Sequence, residues 1–287
     1  MLKKLKAWRW PALGLFVAAL LGCQGLEEQQ RRWIIMGGGG GGNFGSAWRA
    51  GQSIDGMGHV WIEHVSRETG KPVRLHALWL DHADPKAPVL LYLHGARRDV
   101  GSSAFRMRQM NELGFAVLAI DYRGFGQSSE ELPSEAMVYE DAGAAWAWLA
   151  QHKPQRERYI FGHSLGGAIA IHLATEVADA KGLIVEGAFT SIPEVFQTLR
   201  WGWLPVTALI TQRFDAAERI GKVKMPVLVV HGSGDSLILP ALGRALYERA
   251  KEPKRFVLVD GGTHYSTNGM GARQYREALR ELFGIGA

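Results

Sequence analysis

From about residue 58 onward, short apolar runs of strand length alternate with longer helical segments, and this alternation leaves few architectures open. Val89–Leu93 (Val-Leu-Leu-Tyr-Leu) is apolar without a break, as expected of a strand covered on both faces. Further strands are expected at Phe115–Ile120, Tyr159–Phe161, Leu183–Val185, Val227–Val230 and Phe256–Val259. Helices are expected at Ser103–Leu113, Ser134–Gln151, Leu165–Ala178, Ala241–Ala250 and Ala272–Phe283, with Ser134 placed as a cap. Two leading runs, His59–Val65 and Val73–Leu80, flank Gly70-Lys-Pro72 and read as an antiparallel hairpin. The pattern predicts an α/β fold with a mostly parallel central sheet and helices on both faces. Only the stretch from Phe189 to Lys222 breaks the rhythm and reads as an insert.

The 287 residues suit one large domain or two small ones, and 47% hydrophobic against 21% charged residues excludes global disorder. A net charge of +5 raises the question of nucleic acid. Lys3, Lys4, Lys6 and Arg9 account for four of those charges, leaving +1 after residue 22. The remaining basic residues are scattered among acids, as in Arg273-Gln-Tyr-Arg-Glu277, so no nucleic-acid partner is expected. The single cysteine, Cys23, excludes an intramolecular disulfide and any multi-thiolate metal site.

Residues 1–22 pass from a positive stretch through an apolar one, Pro11 to Leu21, to small residues, the order of a secretory signal. The apolar stretch is about half the ~20 residues a spanning helix requires. Its end, Leu20-Leu21-Gly22-Cys23, resembles the lipobox of bacterial lipoproteins. That resemblance implies cleavage after Gly22, lipidation of Cys23 (a palmitate-type acyl group among the attached chains), and an envelope protein facing the periplasm or exterior. A polar stretch, Gln24 to Arg32, a short apolar patch, Trp33 to Met36, and six glycines, Gly37–Gly42, then read as a lipidated segment and flexible tether over 23–57, leading to a domain over 58–287. A phosphate-cradling loop is excluded, since no Lys-Ser/Thr pair follows the glycines.

The chemistry centres on Gly162-His163-Ser164-Leu165-Gly166, between an expected strand and an expected helix. A G-x-S-x-G in that setting forms a nucleophile elbow, a strained turn that lifts the serine oxygen clear at a helix N-terminus. A serine hydroxyl needs a base to take its proton, and the base needs a carboxylate to orient it. Val230-His-Gly-Ser-Gly-Asp235 and Val259-Asp-Gly-Gly-Thr-His264 each run from an apolar strand into a loop ending in Asp or His. Asp235 and His264 are therefore the expected acid and base; Glu186, at the end of its own strand, remains a rival acid. His59, His64, His76 and His82 fall near the hairpin, His152 and His172 on helices, and His94 and His231 in glycine-flanked loops that they are expected to shape. Leu165, after the nucleophile, and Ala96, in Leu93-His94-Gly95-Ala96, are the expected backbone donors to an oxyanion. Arg97 and Arg98 follow, and read first as solvated cations and second as an attraction for a negatively charged substrate.

Together these residues resemble the α/β-hydrolase superfamily, specifically its bacterial esterase-, lipase- and lysophospholipase-like members, over about residues 58 to 284. The order Ser164, Asp235, His264 is that family's triad order, and Asp121-Tyr-Arg-Gly-Phe-Gly-Gln-Ser128 is similar to one of its loops, with Asp121 as a turn anchor. By the same resemblance the insert, about 189–222, is a small cap, and Trp201, Trp203 and Leu204 line an acyl pocket or form cap core. The expected activity is a serine hydrolase acting on a small-molecule or lipid carboxylic ester, as a monomer without metal or cofactor. An amide or peptide hydrolase of the same fold is the catalytic alternative, and a membrane-tethered binding protein the non-catalytic one.

Overall fold

A computed structural model describes residues 25–37, 54, 56–97, 99–199, 202–205 and 207–286. The signal segment, Cys23, Gly38–Gly42, Arg98 and Trp201 lie outside the described residues.

Eight strands form one sheet in the order β1-β2-β4-β3-β5-β6-β7-β8. They are β1 Gly58–Val65, β2 Pro72–Leu80, β3 Val89–Leu93, β4 Ala116–Ile120, β5 Arg158–His163, β6 Ala180–Glu186, β7 Val227–Gly232 and β8 Lys254–Val259. β1, β2 and β4 pair antiparallel, whereas every pairing from β4 through β3 to β8 is parallel. Fold class and sheet type are those the alternation predicts.

Side chains alternate across a strand, and the core divides accordingly. Val89, Leu91 and Leu93 of β3, with Ala116, Leu118 and Ile120 of β4, enter one buried cluster. Leu90 and Tyr92, with Val117 and Ala119, enter the other. The first face is covered by helices α3 (Glu135–His152), α4 (Leu165–Glu176), α6 (Ala216–Ile220) and α7 (Pro240–Arg249). The second is covered by α2 (Ala104–Glu112) and α9 (Ala272–Phe283). Each fully buried Leu or Val contributes roughly 1.5–3 kcal/mol against exposure, so register is strongly set. Ser134 caps α3, its side chain accepting from Met137 N at 3.3 Å.

The strand order reverses around β3: β4 lies on one side of it and β5 on the other. Open α/β sheets gather loops at the carboxyl ends of their strands near such a reversal. The loops after β3, β5, β6, β7 and β8 carry the residues singled out above.

The insert folds as α5 (Ile192–Gln197), a 3-10 turn at Thr207–Leu209, and α6. The N-terminal segment departs from the expected tether. Residues 25–34 form a helix, α1, and Ile35 just after it is fully buried in the main core. Arg31 donates from Nε to Pro133 O at 3.1 Å and from Nη2 to Leu132 O. Gln30 donates to Leu209 O at 2.7 Å and accepts from Thr211 N at 2.7 Å, tying α1 to the insert. The stretch is polar yet rich in strong helix formers, and Glu28 and Arg32 pair at i,i+4 across 2.7 Å. Among the described residues no helix is long and apolar enough to cross a membrane.

Candidate active site

The turn between β5 and α4 is shaped by what its glycines lack. A methyl at Gly162 would stand 2.7 Å from Ala170 Cβ, and one at Gly166 would stand 2.6 Å from His94 O. Both distances are shorter than side chains tolerate, so strand, turn and helix can close this tightly only with glycine there. Ser164 sits at the apex with φ 57° and ψ −122°, a conformation that costs a non-glycine residue roughly 1–3 kcal/mol. Its N–H is held by Glu186 O at 2.9 Å. The side chain stands at the N-terminus of α4, whose first N–H groups have no partner within the helix.

The loop after β3 lies against this serine. A methyl on Gly95 would be 3.0 Å from Ser164 Cβ and 3.2 Å from His163 O. Ala96, the next residue, is partly buried against the core. The structure therefore brings the backbone of Gly95 against Ser164, which itself leads into α4 at Leu165. His94 is fully buried; its Nδ1 donates to Gly95 O at 2.7 Å, and burial holds its imidazole below the ordinary pKa. It shapes the loop, as expected.

Asp235 and His264 follow β7 and β8, and His264 Nδ1 donates to Asp235 Oδ2 at 2.8 Å. The other carboxylate oxygen accepts from Leu237 N at 3.0 Å and Ile238 N at 2.9 Å. His231 Nε2 is shared between Ile238 O at 2.9 Å and Asp235 Oδ2 at 3.4 Å. Burial works against the ionised carboxyl, but hydrogen bonds from His231, His264 and Ile238 N–H outweigh it and hold Asp235 below its usual pKa. An ionised carboxylate only accepts, so His264 Nδ1 carries a proton toward it. Gly187, immediately after Glu186, underlies the pair: a methyl there would be 3.3 Å from His264 Nδ1 and 3.5 Å from Asp235 Oδ2.

Glu186, the rival acid, is engaged elsewhere. Its Oε1 receives Arg106 Nε at 3.3 Å, and its Oε2 receives the Tyr275 hydroxyl. Burial first, then the Glu186 charge, pushes the Tyr275 phenol well above its ordinary pKa and keeps it a donor. Asp260, after β8, accepts from Ser233 Oγ of the loop after β7 at 3.1 Å. Arg106 is a residue the sequence did not single out. Fully buried on α2, it reaches His264 O at 3.4 Å and Tyr265 O at 3.3 Å through Nη2.

Asp121 serves as the expected turn anchor, accepting from Val100 N at 2.8 Å and lying 3.1 Å from His76 Nδ1. Arg123 turns inward onto Asp141 at 2.7 Å and Glu140 at 3.0 Å, fixing the loop that Gly124 and Gly126 bend with positive φ. Of the expected acyl-pocket or cap-core residues, Trp203 is 74% exposed and Leu204 is half-buried. Arg97 is exposed and packs beside Gly37, where a methyl would meet its Cδ at 2.5 Å.

Comparison with known proteins gives the chain's family and fold relatives. The family model described as Hydrolase_4, serine aminopeptidase S33, matches residues 83–215. The uncharacterised protein Rv2307c of Mycobacterium tuberculosis is 35% identical over 219 residues, covering 75% of this chain and 76% of that protein. The lysophosphatidylserine lipase ABHD12 of Danio rerio is 33% identical over 185 residues, 58% of this chain and 48% of that one. Among solved structures, ferulic-acid-bound Est1E from Butyrivibrio proteoclasticus superposes with a TM-score of 0.64 at 21% identity, over 78% of this chain and 99% of that one.

Proposed function

The chain belongs to the α/β-hydrolase superfamily, and from that premise we propose that it is a serine hydrolase cleaving carboxylic esters through Ser164, His264 and Asp235. The observation that carries this reading is the buried His264–Asp235 hydrogen bond of 2.8 Å, which sets His264 Nε2 as the free base. In the proposed reaction Ser164 Oγ attacks the ester carbonyl carbon while its proton passes to His264 Nε2. The carbonyl oxygen becomes an oxyanion held by the N–H groups of Leu165 and Ala96, each worth on the order of 3 kcal/mol to the barrier. The C–O bond to the alcohol breaks as His264 returns the proton to the leaving oxygen. Water, deprotonated by the same nitrogen, then releases the acid and restores Ser164. Asp235 keeps the imidazole in the required tautomer and offsets its positive charge.

The substrate we infer is a small-molecule or lipid ester, and the protein is taken to be a lipoprotein anchored at Cys23 after removal of residues 1–22. The relative named as a lipase favours the ester, and the family model's description as an aminopeptidase favours an amide as the second reading. The leaving group separates them, since an amine needs fuller protonation than an alcohol.

The test is a panel of p-nitrophenyl esters of graded acyl length beside an amino-acid p-nitroanilide, run on the full chain and on Ser164→Ala. Ester hydrolysis should fall by several orders of magnitude in the variant. Equal rates for parent and variant would refute Ser164, and faster anilide than ester cleavage would favour the amide. The mass of the mature N-terminus tests the anchor separately: a processed chain without acyl groups on Cys23 refutes it.

A further inference from the structure

We propose that the buried Arg106–Glu186 pair is the positioning device of the base-bearing loop, holding His264 at the depth where its imidazole meets both Asp235 and the serine; this rests on the triad reading above. Arg106, Glu186 and Tyr275 are each fully buried. Arg106 comes from α2, Glu186 from the end of β6, Tyr275 from α9, and the loop they grip follows β8. Through Glu186 and its own helix, one guanidinium thus ties α2, β6 and α9 to the backbone of the base.

The grip is specific in its atoms. Arg106 Nε faces Glu186 Oε1 at 3.3 Å, and Tyr275 occupies Oε2, so the carboxylate is held from both oxygens. The far side of the guanidinium, Nη2, then faces His264 O at 3.4 Å and Tyr265 O at 3.3 Å. His163 Nε2, between the nucleophile and its strand, lies 3.2 Å from Arg106 Nη2 and 2.9 Å from the same His264 O. The His163 and His264 rings are 4.8 Å apart. Residues beside the nucleophile and the carbonyl of the base are therefore fastened to one point.

Stability alone does not account for this arrangement. Burying two charges costs about as much as their attraction returns, and apolar side chains of similar volume commonly serve a core equally well. An apolar side chain at 106 would, however, remove the guanidinium donor from two loop carbonyls beside the triad. His264 O would keep its hydrogen bond with His163 Nε2 at 2.9 Å, but Tyr265 O would lose the guanidinium, and the loop relieves that loss by moving the Tyr265 carbonyl toward water. His264 moves with it. Displacement of a reacting group by about 1 Å costs up to ~100-fold in rate.

The test uses the purified full chain and the variants Arg106→Lys, Arg106→Ala and Glu186→Gln, each titrated with a fluorophosphonate to count reactive serines. With p-nitrophenyl butyrate, kcat per titrated site is expected to fall about 10- to 100-fold in Arg106→Ala, with KM changed less than about threefold. Arg106→Lys and Glu186→Gln keep the side-chain volume and should lie between that variant and the parent. Millimolar guanidinium should raise kcat of Arg106→Ala, because it fills the space left and offers the same donors. If activity falls only with the number of titratable serines and kcat per site stays at the parent value, Arg106 is merely structural and the inference is overturned. Ser164→Ala in the same assay keeps the two readings apart. Undiminished hydrolysis there refutes the triad, whereas a dead Ser164→Ala with parent-like Arg106 variants refutes only the positioning role.

Discussion

The imidazole of His264 donates from Nδ1 to Oδ2 of Asp235 across 2.8 Å, and the same carboxylate oxygen lies 3.4 Å from His231 Nε2. The carboxylate is thus fixed by ring nitrogens from the end of β7 and from the loop after β8, and by two backbone N–H groups on its other oxygen. Asp235→Asn replaces an acceptor with an amide whose NH2 can face His264 Nδ1 and invert its tautomer. Under the proposed mechanism kcat should fall on the order of 10⁴-fold with KM little changed. Steady-state ester kinetics on the two proteins would show this, and a loss below tenfold would argue against Asp235 as the orienting acid.

The same carboxylate bears on acid stability. Asp235 is held below its ordinary pKa when folded, whereas in the unfolded chain it takes up a proton near pH 4. Its contribution is therefore present above about pH 4 and is lost as pH falls further, when only the unfolded state gains the proton. Asp235→Asn lacks that contribution, so its melting temperature should decline less steeply than the parent's between about pH 4 and pH 2.5. Thermal melts by circular dichroism at half-unit intervals measure the two slopes, and coincident slopes would count against the coupling.

Much of this site could be read before the structure because its residues announce themselves locally. Ser164 stands between glycines at a strand–helix junction, and Asp235 and His264 each end a glycine-containing loop behind an apolar run. The bounds of β3 and α9 are those the pattern predicts. Arg106 carries no such mark: in Ala-Phe-Arg-Met-Arg it looks like one more solvated cation. Its partners are 80 residues away at Glu186 and 158 away at His264, so only the folded chain reveals it. α1 was obscured for the opposite reason. Its polarity and the glycines after it suggest solvent, while the apolar Ile34-Ile35-Met36 that docks it is too short to show a period.

Gly187 offers a test of how tightly the base is enclosed. Its φ is +56°, and an added methyl would stand 3.3 Å from both Cε1 and Nδ1 of His264. Gly187→Ala combines backbone strain of roughly 1–2 kcal/mol with pressure on the ring. The fold should survive that cost, but the ring would be displaced from Asp235 or from the serine. We expect kcat per reactive serine to drop at least about tenfold, in line with misplacement of a reacting group. A parent-like kcat at a lowered melting temperature would mean that the ring has room to move.

The docking of α1 yields the last prediction. Ile35 is fully buried in the main cluster, whereas Trp33, two residues earlier, is 69% exposed. If the segment were a passive tether, truncating either side chain would be neutral. In the structure only one of them supports the fold. Ile35→Ala should cost about 2–5 kcal/mol, the usual range for a buried isoleucine, because the methyl groups it removes leave a cavity. Trp33→Ala should stay within about 0.5 kcal/mol of the parent, as exposed substitutions do. Urea titrations of the two variants read this directly: the Ile35→Ala midpoint should move to lower urea and the Trp33→Ala midpoint should not. Equal midpoints would show that α1 contributes nothing to the core. By the same reasoning, a chain truncated before residue 43 loses Ile35 and the Arg31 hydrogen bonds that close over the N-terminus of α3, and it should unfold earlier than the full protein.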